Sequence, residues 1–400
     1  MSLSRRALIA SAAAAAAAPA PALAAWPFGL GRRKPEPPKD GRADYAGGAL
    51  RQQIGDWQFE IAKTSASTRL QPVIRDNYEA RLTEAVGKMP GVKAITAAVA
   101  EPDGSVWTQA WRADEGPLPT RFHWASVAKA YTATAVMQMV EAGQLSLTDT
   151  LDRWAPAMPN AAWITLEDLL AHTSGLYSFQ ADETLRATPG YKSPEQLLAV
   201  AAAHPPLFQP GAAWSYSNTN YVLLGQIIEA VDGKPWHEAL AERIAARREL
   251  EDTVFIAPQA KVEGLAPPAP AEAAPGTADE ISTPYAAGAV AASSLDMVRF
   301  WRDLLADRLH GPEATRRRFY RLYPMTGVGP GHYGLGVMVS DLSAADPAAT
   351  DVWLGHSGGL PGAKAVVAYS MQTRAFVAVA LTGEGSPEAA ANLLLAELRR

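Results

Sequence analysis

The chain has 400 residues, 36 Lys+Arg against 41 Asp+Glu, a net charge of −5 and no cysteine. That length supports about two ordinary domains with buried cores, and a composition 48% apolar and 19% charged excludes disorder of the whole chain. The absence of cysteine excludes a disulfide framework, a thiolate metal site, an iron–sulfur cluster and a cysteine nucleophile, and a mildly acidic chain is a poor electrostatic match for nucleic acid or an anionic membrane.

Residues 1–25 read as a signal peptide. Arg5 and Arg6 form a basic head, Ala7 to Ala18 a weakly apolar stretch, and Ala22-Leu23-Ala24 a small-residue cleavage pattern. Ser4-Arg5-Arg6 resembles a twin-arginine export signal; a general secretion signal is the plain alternative. Pro19 and Pro21 argue against a membrane anchor. The expectation is an exported protein, periplasmic or secreted, without stable membrane insertion after cleavage. Residues 26–71 read as a tether, because the stretch up to Gly48 is rich in Pro, Gly and charge.

From there the predicted elements alternate in type. Pro72 to Met89 has helical spacing. Ala94–Ala100 and Ser105–Trp111 form a hairpin around Glu101-Pro102-Asp103-Gly104. Helices follow: Ser126–Ala142, one capped by Thr165 with Asp168 in the capping-box position, one opened by Ser193-Pro194, Thr219–Val231, and Pro235–Leu250. Ala257–Ala278 reads as a Pro/Ala-rich surface loop. Ser294 caps a helix to Leu305. Strands return at Tyr333–Ser340, Ala365–Ser370 and Ala375–Leu381, and Pro387–Leu398 closes the chain as a helix. Short turns between the strands require antiparallel pairing. The expected fold is therefore α/β: an antiparallel sheet flanked by helices, built from 72–125 and 290–400, with an all-helical domain inserted in the mainly helical part, 126–289.

Three short motifs could carry chemistry. Ser126-Val127-Ala128-Lys129 is the only S-x-x-K in the chain. Residues three apart share a helix face, about 5–6 Å between Cβ atoms, so the lysine amine reaches the serine hydroxyl. At a helix start the Ser126 N–H is an unpaired donor and the dipole favours negative charge. An N-cap serine followed by a surface lysine is the alternative. Tyr216-Ser217-Asn218 precedes a helix; the phenol could act in proton transfer with Lys129, and Asn218 could contact a substrate carbonyl, or the two could be a packed tyrosine and an N-cap. His356-Ser357-Gly358-Gly359 precedes the last two strands. Gly358 lets a substrate backbone lie close, the Gly359 N–H can serve as an oxyanion donor, and His356 offers a donor whose charge depends on pH. His332-Tyr333-Gly334 matches the same short pattern and competes with it.

Together these motifs resemble the serine β-lactamase and penicillin-binding-protein family, in the branch of class C β-lactamases, exported DD-peptidases, D-aminopeptidases and related esterases. Leu169 to Leu176 (LLAHTSGL), Ala287 to Phe300 and Gly355 to Gly362 (GHSGGLPG) extend the likeness, which runs from about Ala94 to the C-terminus. The resemblance implies Ser126 as acylated nucleophile, Lys129 and Tyr216 sharing the general-base role, Asn218, His356 and Gly358 contacting substrate, and an oxyanion hole from the N–H groups of Ser126 and Gly359. It implies neither metal nor cofactor. Class C β-lactamases usually carry Lys-Thr-Gly where this chain has His-Ser-Gly, so the expected substrates are small esters, amides or D-amino-acid peptides, peptidoglycan fragments among them. A non-turning-over acyl-binding sensor or interaction module on the same fold is the alternative, and a true class C β-lactamase ranks behind both.

Other matches fail on chemistry. Gly355-His356-Ser357-Gly358-Gly359 fits the nucleophile elbow of α/β-hydrolases, but no histidine follows it. Gly329 to Gly334 fits G-x-G-x-x-G but leads into a strand. His237-Glu238 lacks the second histidine of a zinc-protease helix, Ala241 standing in its place.

Overall fold

A computed structural model describes residues 56–248, 250–269, 284–325, 331–342 and 351–399. The expected signal peptide and the tether up to 55 lie outside the described residues, as does 270–278 of the expected Pro/Ala-rich loop. The strands are β1 (Gln71–Pro72), β2 (Val92–Ala100), β3 (Ser105–Arg112), β4 (Phe122–His123), β5 (Val254–Phe255), β6 (Val290–Ala292), β7 (Tyr323–Pro324), β8 (His332–Tyr333), β9 (Met338–Asp341), β10 (Val352–Leu360), β11 (Ala363–Ser370) and β12 (Phe376–Gly383). The helices that matter below are α1 (Asp56–Ser67), α2 (Asp76–Lys88), α3 (Ala128–Glu141), α4 (Leu166–Ala171), α5 (Pro194–Ala203), α6 (Asn218–Asp232), α7 (Ser294–Leu305), α8 (Pro312–Arg318) and α9 (Pro387–Leu395).

Both chain ends build one sheet, in the order β1-β3-β2-β12-β11-β10-β9-β8-β7. Every neighbouring pair is antiparallel except β1 with β3. Side chains alternate between its faces. Ile95, Ala97, Val99, Val366, Val377, Val379 and Leu381 form one core with Tyr78 and Leu82 of α2 and Leu394 and Leu395 of α9. On the opposite face β2 and β12 present Ala94, Thr96, Ala98, Ala378 and Ala380. These small residues let α7 come close enough for Thr96 Oγ1 to sit 2.9 Å from Ser294 Oγ.

The middle of the chain, expected as an inserted all-helical domain, is mainly helical but contains β5, and it belongs to the same compact unit as the sheet. Local signals set its boundaries. Thr165 and Asp168 form a reciprocal capping box on α4, Ser193 and Gln196 one on α5, and Gly233 ends α6 in the left-handed conformation. A second sheet, β4-β6-β5, was not foreseen; its strands are two or three residues long, too short for periodicity to register.

Four other expectations are corrected. The tether assigned to 26–71 contains α1, which packs on α7, and β1, which pairs with β3. The buried stripe of α1 is Ala62, Ser65 and Ala66, small residues that give little hydrophobic signal. The single strand expected over Tyr333–Ser340 is two strands, β8 and β9, paired with each other across a tight turn. β10 lies outside the expected strands, because its Gly355, Gly358 and Gly359 depress strand propensity; it nonetheless pairs with β9 and β11. The helix expected over Pro235–Leu250 begins at Trp236 and is interrupted by a π-helical segment, Ala241–Ala245.

Candidate active site

Ser126 lies in a 3-10 turn, Ala125–Val127, that leads directly into α3. Every residue from 122 to 137 is buried except Ser126, so the serine is the one opening in an otherwise covered stretch. The turn is held by Trp124, whose backbone N–H donates to Val290 O and whose indole N–H donates to Ala292 O, both at 3.0 Å. Ala125 enters it with φ +45°, a conformation that costs a non-glycine residue about 1–3 kcal/mol.

One turn later Lys129 is wholly buried. Its Nζ lies 3.1 Å from Ser126 Oγ and donates to Ala287 O at 2.7 Å. The amine also sits 4.9 Å from the Tyr216 ring centre and 5.4 Å from that of Tyr221. No carboxylate pairs with it among the described residues. Burial alone therefore pushes its pKa well below the usual lysine value. An amine kept from ionising retains the lone pair that a general base needs.

Tyr216 reaches the site from the loop before α6, its ring centre 4.9 Å from Lys129 Nζ. Burial pushes this phenol above its ordinary range, the nearby Ser126 hydroxyl opposing. Tyr216 thus stays protonated and is suited to deliver a proton. The loop is stitched to the segment after α4. His172 O accepts from Ser215 N–H at 3.0 Å, His172 Nδ1 from Ser217 N–H at 3.2 Å, and Thr173 O from Gly211 N–H at 2.8 Å. Asn220 Oδ1 accepts from Ser174 Oγ at 2.7 Å. Gly175 completes the junction at φ +73°; a Cβ there would stand 2.1 Å from Phe208 O. The His172 ring lies 4.4 Å from that of Tyr216 and 4.7 Å from that of Tyr333. Burial above all holds this imidazole neutral, its pKa well below the usual histidine value.

The third expected motif lies on β10. Period two puts His356 and Gly358 on the same face, towards Ser126. A Cβ on Gly358 would stand 2.4 Å from Trp124 O and 2.7 Å from Ser126 N, so only glycine lets the nucleophile turn rest on this strand. β9 covers β10 only from Val352 to Gly355, leaving residues 356–360 paired with β11 alone among the described residues. That edge, with exposed Gly359, is free to receive an extended acyl chain.

Two expected residues are placed differently from the rest. His356 is buried, with both nitrogens engaged. Nδ1 donates to its neighbour's carbonyl, Ser357 O, which fixes the tautomer, so Nε2 accepts from the Tyr333 hydroxyl at 3.0 Å. Desolvation above all pushes its pKa down to about 3, with the Arg318 charge acting in the same direction. Asn218 opens α6 and is buried; its Nδ2 donates to Gln180 Oε1, and its Oδ1 has no partner among the described residues. It does not bond Lys129.

Sequence reasoning gave no role to His172, Tyr221, Ala287 or Tyr333. His172 and Ala287 fall inside the stretches that carry the family likeness. Tyr333 belongs to the His332-Tyr333-Gly334 match set against the 356 motif; the two meet in space, through Tyr333 and His356.

A family model described as Beta-lactamase matches residues 79–399. The chain belongs to the Beta-lactamase family. Among solved structures, this family member is similar to a D-stereospecific amidohydrolase from a Streptomyces species, with a TM-score of 0.69 and 29% identity over 81% of this chain and 98% of that one. Among curated relatives it is 28% identical to PbpX of Bacillus subtilis (strain 168), named as a penicillin-binding protein, over 55% of this chain and 54% of that protein. It is 32% identical to Esterase EstB of Burkholderia gladioli over 34% of this chain and 39% of that one. The chain thus spans about half or less of the length of these curated relatives.

Proposed function

We propose that the protein is an exported serine hydrolase that cleaves small esters, amides or D-amino-acid peptides through an acyl-enzyme on Ser126. The observation that carries this reading is the accessible Ser126 hydroxyl 3.1 Å from a fully buried amine that faces no carboxylate. Family membership supports it. So do the Streptomyces amidohydrolase and Esterase EstB, whose names place related chains in amide and ester chemistry.

Neutral Lys129 takes the proton of Ser126 Oγ as the oxygen attacks the substrate carbonyl, one C–O bond forming while Nζ becomes an ammonium. The developing oxyanion is held by the N–H groups of Ser126 and Gly359 at the nucleophile turn and the β10 edge. The tetrahedral adduct collapses as the bond to the leaving group breaks. Tyr216 protonates the departing alcohol or amine and is itself reprotonated through Lys129. Water then repeats the cycle on the ester, returning Ser126. Asn218, whose Oδ1 has no partner among the described residues, contacts the substrate. His356, having no free nitrogen, acts through Tyr333 and the position of β10.

The test is a panel of p-nitrophenyl esters, D-alanyl peptides and a chromogenic cephalosporin, with intact-protein mass spectrometry. The expected result is steady release of product from an ester or D-alanyl substrate, an adduct trapped on Ser126 at low pH, and no turnover by Ser126→Ala. Retained turnover in that variant defeats the assignment, and an adduct that never clears shows a sensor instead. Export is tested by sequencing the mature N-terminus, expected after Ala24 or Ala25, and by replacing Arg5 and Arg6 with lysine.

A further inference from the structure

A cavity of about 340 Å³ shares no residue with the Ser126 cluster. It is bounded by the end of α1, the residues that follow it, and α7. Its lining holds Arg69, Arg248, Arg299, Arg302 and Arg308 but a single carboxylate, Asp303. Asp303 is already shared: Oδ2 accepts from Arg248 at 2.6 Å and Oδ1 from Arg308 at 2.9 Å. Arg299 leans back to Asp296, at 3.1 Å.

Arg302 forms no ion pair with a carboxylate among the described residues. It is 2% exposed, its Nη2 donates to Thr68 O, and its Nη1 has no hydrogen-bond partner among the described residues. The Phe376 ring lies 5.5 Å from the guanidinium carbon. Burial, with the like charge of Arg308 next in order, lowers its pKa to about 10, so it remains a cation at neutral pH. A lysine in this position could shed its proton; a guanidinium cannot. A buried charge with an unpaired donor and a neighbouring like charge is unfavourable unless an anion joins it.

We propose that this cavity is a binding site for a tetrahedral oxyanion, phosphate or sulfate, free or as the ester head of a small ligand. Guanidinium forks match the paired oxygens of such a group. The volume is at the small end of ligand sites, roughly 300–1,000 Å³, which fits a head group with a few attached atoms. Arg302 forms the floor, and the more exposed Arg299, Arg308 and Arg69 form the rim.

The experiment titrates the full chain with inorganic phosphate, sulfate and glycerol 3-phosphate at ionic strength held constant with NaCl, following melting temperature and calorimetric heat. The expected result is a saturable rise in melting temperature with the oxyanions that NaCl does not reproduce. Glycerol 3-phosphate binding tenfold tighter than phosphate identifies an ester ligand, and equal affinity identifies the free ion. Arg302→Met is expected to abolish saturation. Arg299→Gln, a rim change that spares the core, is expected to weaken binding by about tenfold or more. Ser126→Ala is expected to bind phosphate as the parent does. A response no larger than that of NaCl, an unchanged affinity in Arg299→Gln, or loss of binding in Ser126→Ala each overturns the proposal.

Discussion

Lys129 and Arg318 are two basic side chains set into one helix neighbourhood, both fully buried and neither facing a carboxylate among the described residues. The protein treats them in opposite ways. Arg318, at the end of α8, donates through Nε to Leu335 O at 2.9 Å, through Nη1 to Thr134 Oγ1 at 2.8 Å, and through Nη2 to Ala130 O at 3.1 Å and Gly336 O at 3.2 Å. Every arm is used, and α3 is fastened to the turn between β8 and β9. Burial lowers its pKa to about 10, which leaves it charged near neutral pH. Lys129 has Ala287 O and Ser126 Oγ and otherwise aromatic rings. Burial makes a mechanical part of a side chain that cannot lose its proton, and a reagent of one that can.

The largest effect that would break this contrast is on rate. Lys129→Met keeps the volume and removes the base, and turnover is expected to fall by about 10²–10⁴. Its stability has its own signature. Lys129 has a folded pKa below its unfolded value near 10.5, so between neutral pH and 10.5 the unfolded chain binds the extra proton and raising the pH stabilises the fold. Wild type is therefore expected to gain on Lys129→Met in urea titrations as pH rises from 7 towards 10.5. A constant difference would show that the lysine is charged in the fold.

Arg318→Met is next, and its expected effect lies in stability. It strands the carbonyls of Leu335 and Gly336 in the interior, Ala130 O keeping the Thr134 hydroxyl, at about 1–3 kcal/mol for each group left without a partner, offset in part by removal of a buried charge. A loss of ~3 kcal/mol is expected by chemical denaturation. Arg318→Lys is expected to recover little, since one ammonium cannot span three carbonyls on two segments. Recovery of most of the loss by lysine would mean that charge, not the fork, is what the site uses.

How far such pairs could be read from the amino acids depends on the range of the signal. The Lys129–Ser126 pair was legible because both residues lie on one helical turn, and the capping boxes at Thr165 and Ser193 because their partners are three residues apart. The hairpin of β2 and β3 was legible through its turn. Arg318 was not, since its partners are carbonyls of other segments and a carbonyl has no sequence identity. α1 escaped for want of large apolar residues. β10 was hidden by the glycines that the nucleophile turn requires. Asn218 and His356 were legible as candidates, but not the Gln180 and Tyr333 side chains that occupy their polar atoms.

The smallest effect expected here tests the space between Lys129 and Arg318. Tyr333 lies behind the site, donating to His356 Nε2, and the charge of Arg318 bears on His356. Tyr333→Phe leaves that nitrogen buried and unpaired, which is expected to cost about 1–2 kcal/mol at pH 7. The hydroxyl stabilises the neutral ring, so its removal raises the His356 pKa from about 3 towards the unfolded value of 6.5. In wild type the unfolded chain takes up this proton as pH falls below 6.5 while the fold refuses it until about 3, so His356 lowers stability across that window. The variant binds the proton earlier and suffers less of this loss. Its deficit is therefore expected to narrow as pH drops from 6.5 towards 4, opposite in direction to the divergence of Lys129→Met above pH 7. A deficit independent of pH would mean that Tyr333 serves only to fill space, and that the neutrality of His356 is due to burial and the Arg318 charge alone.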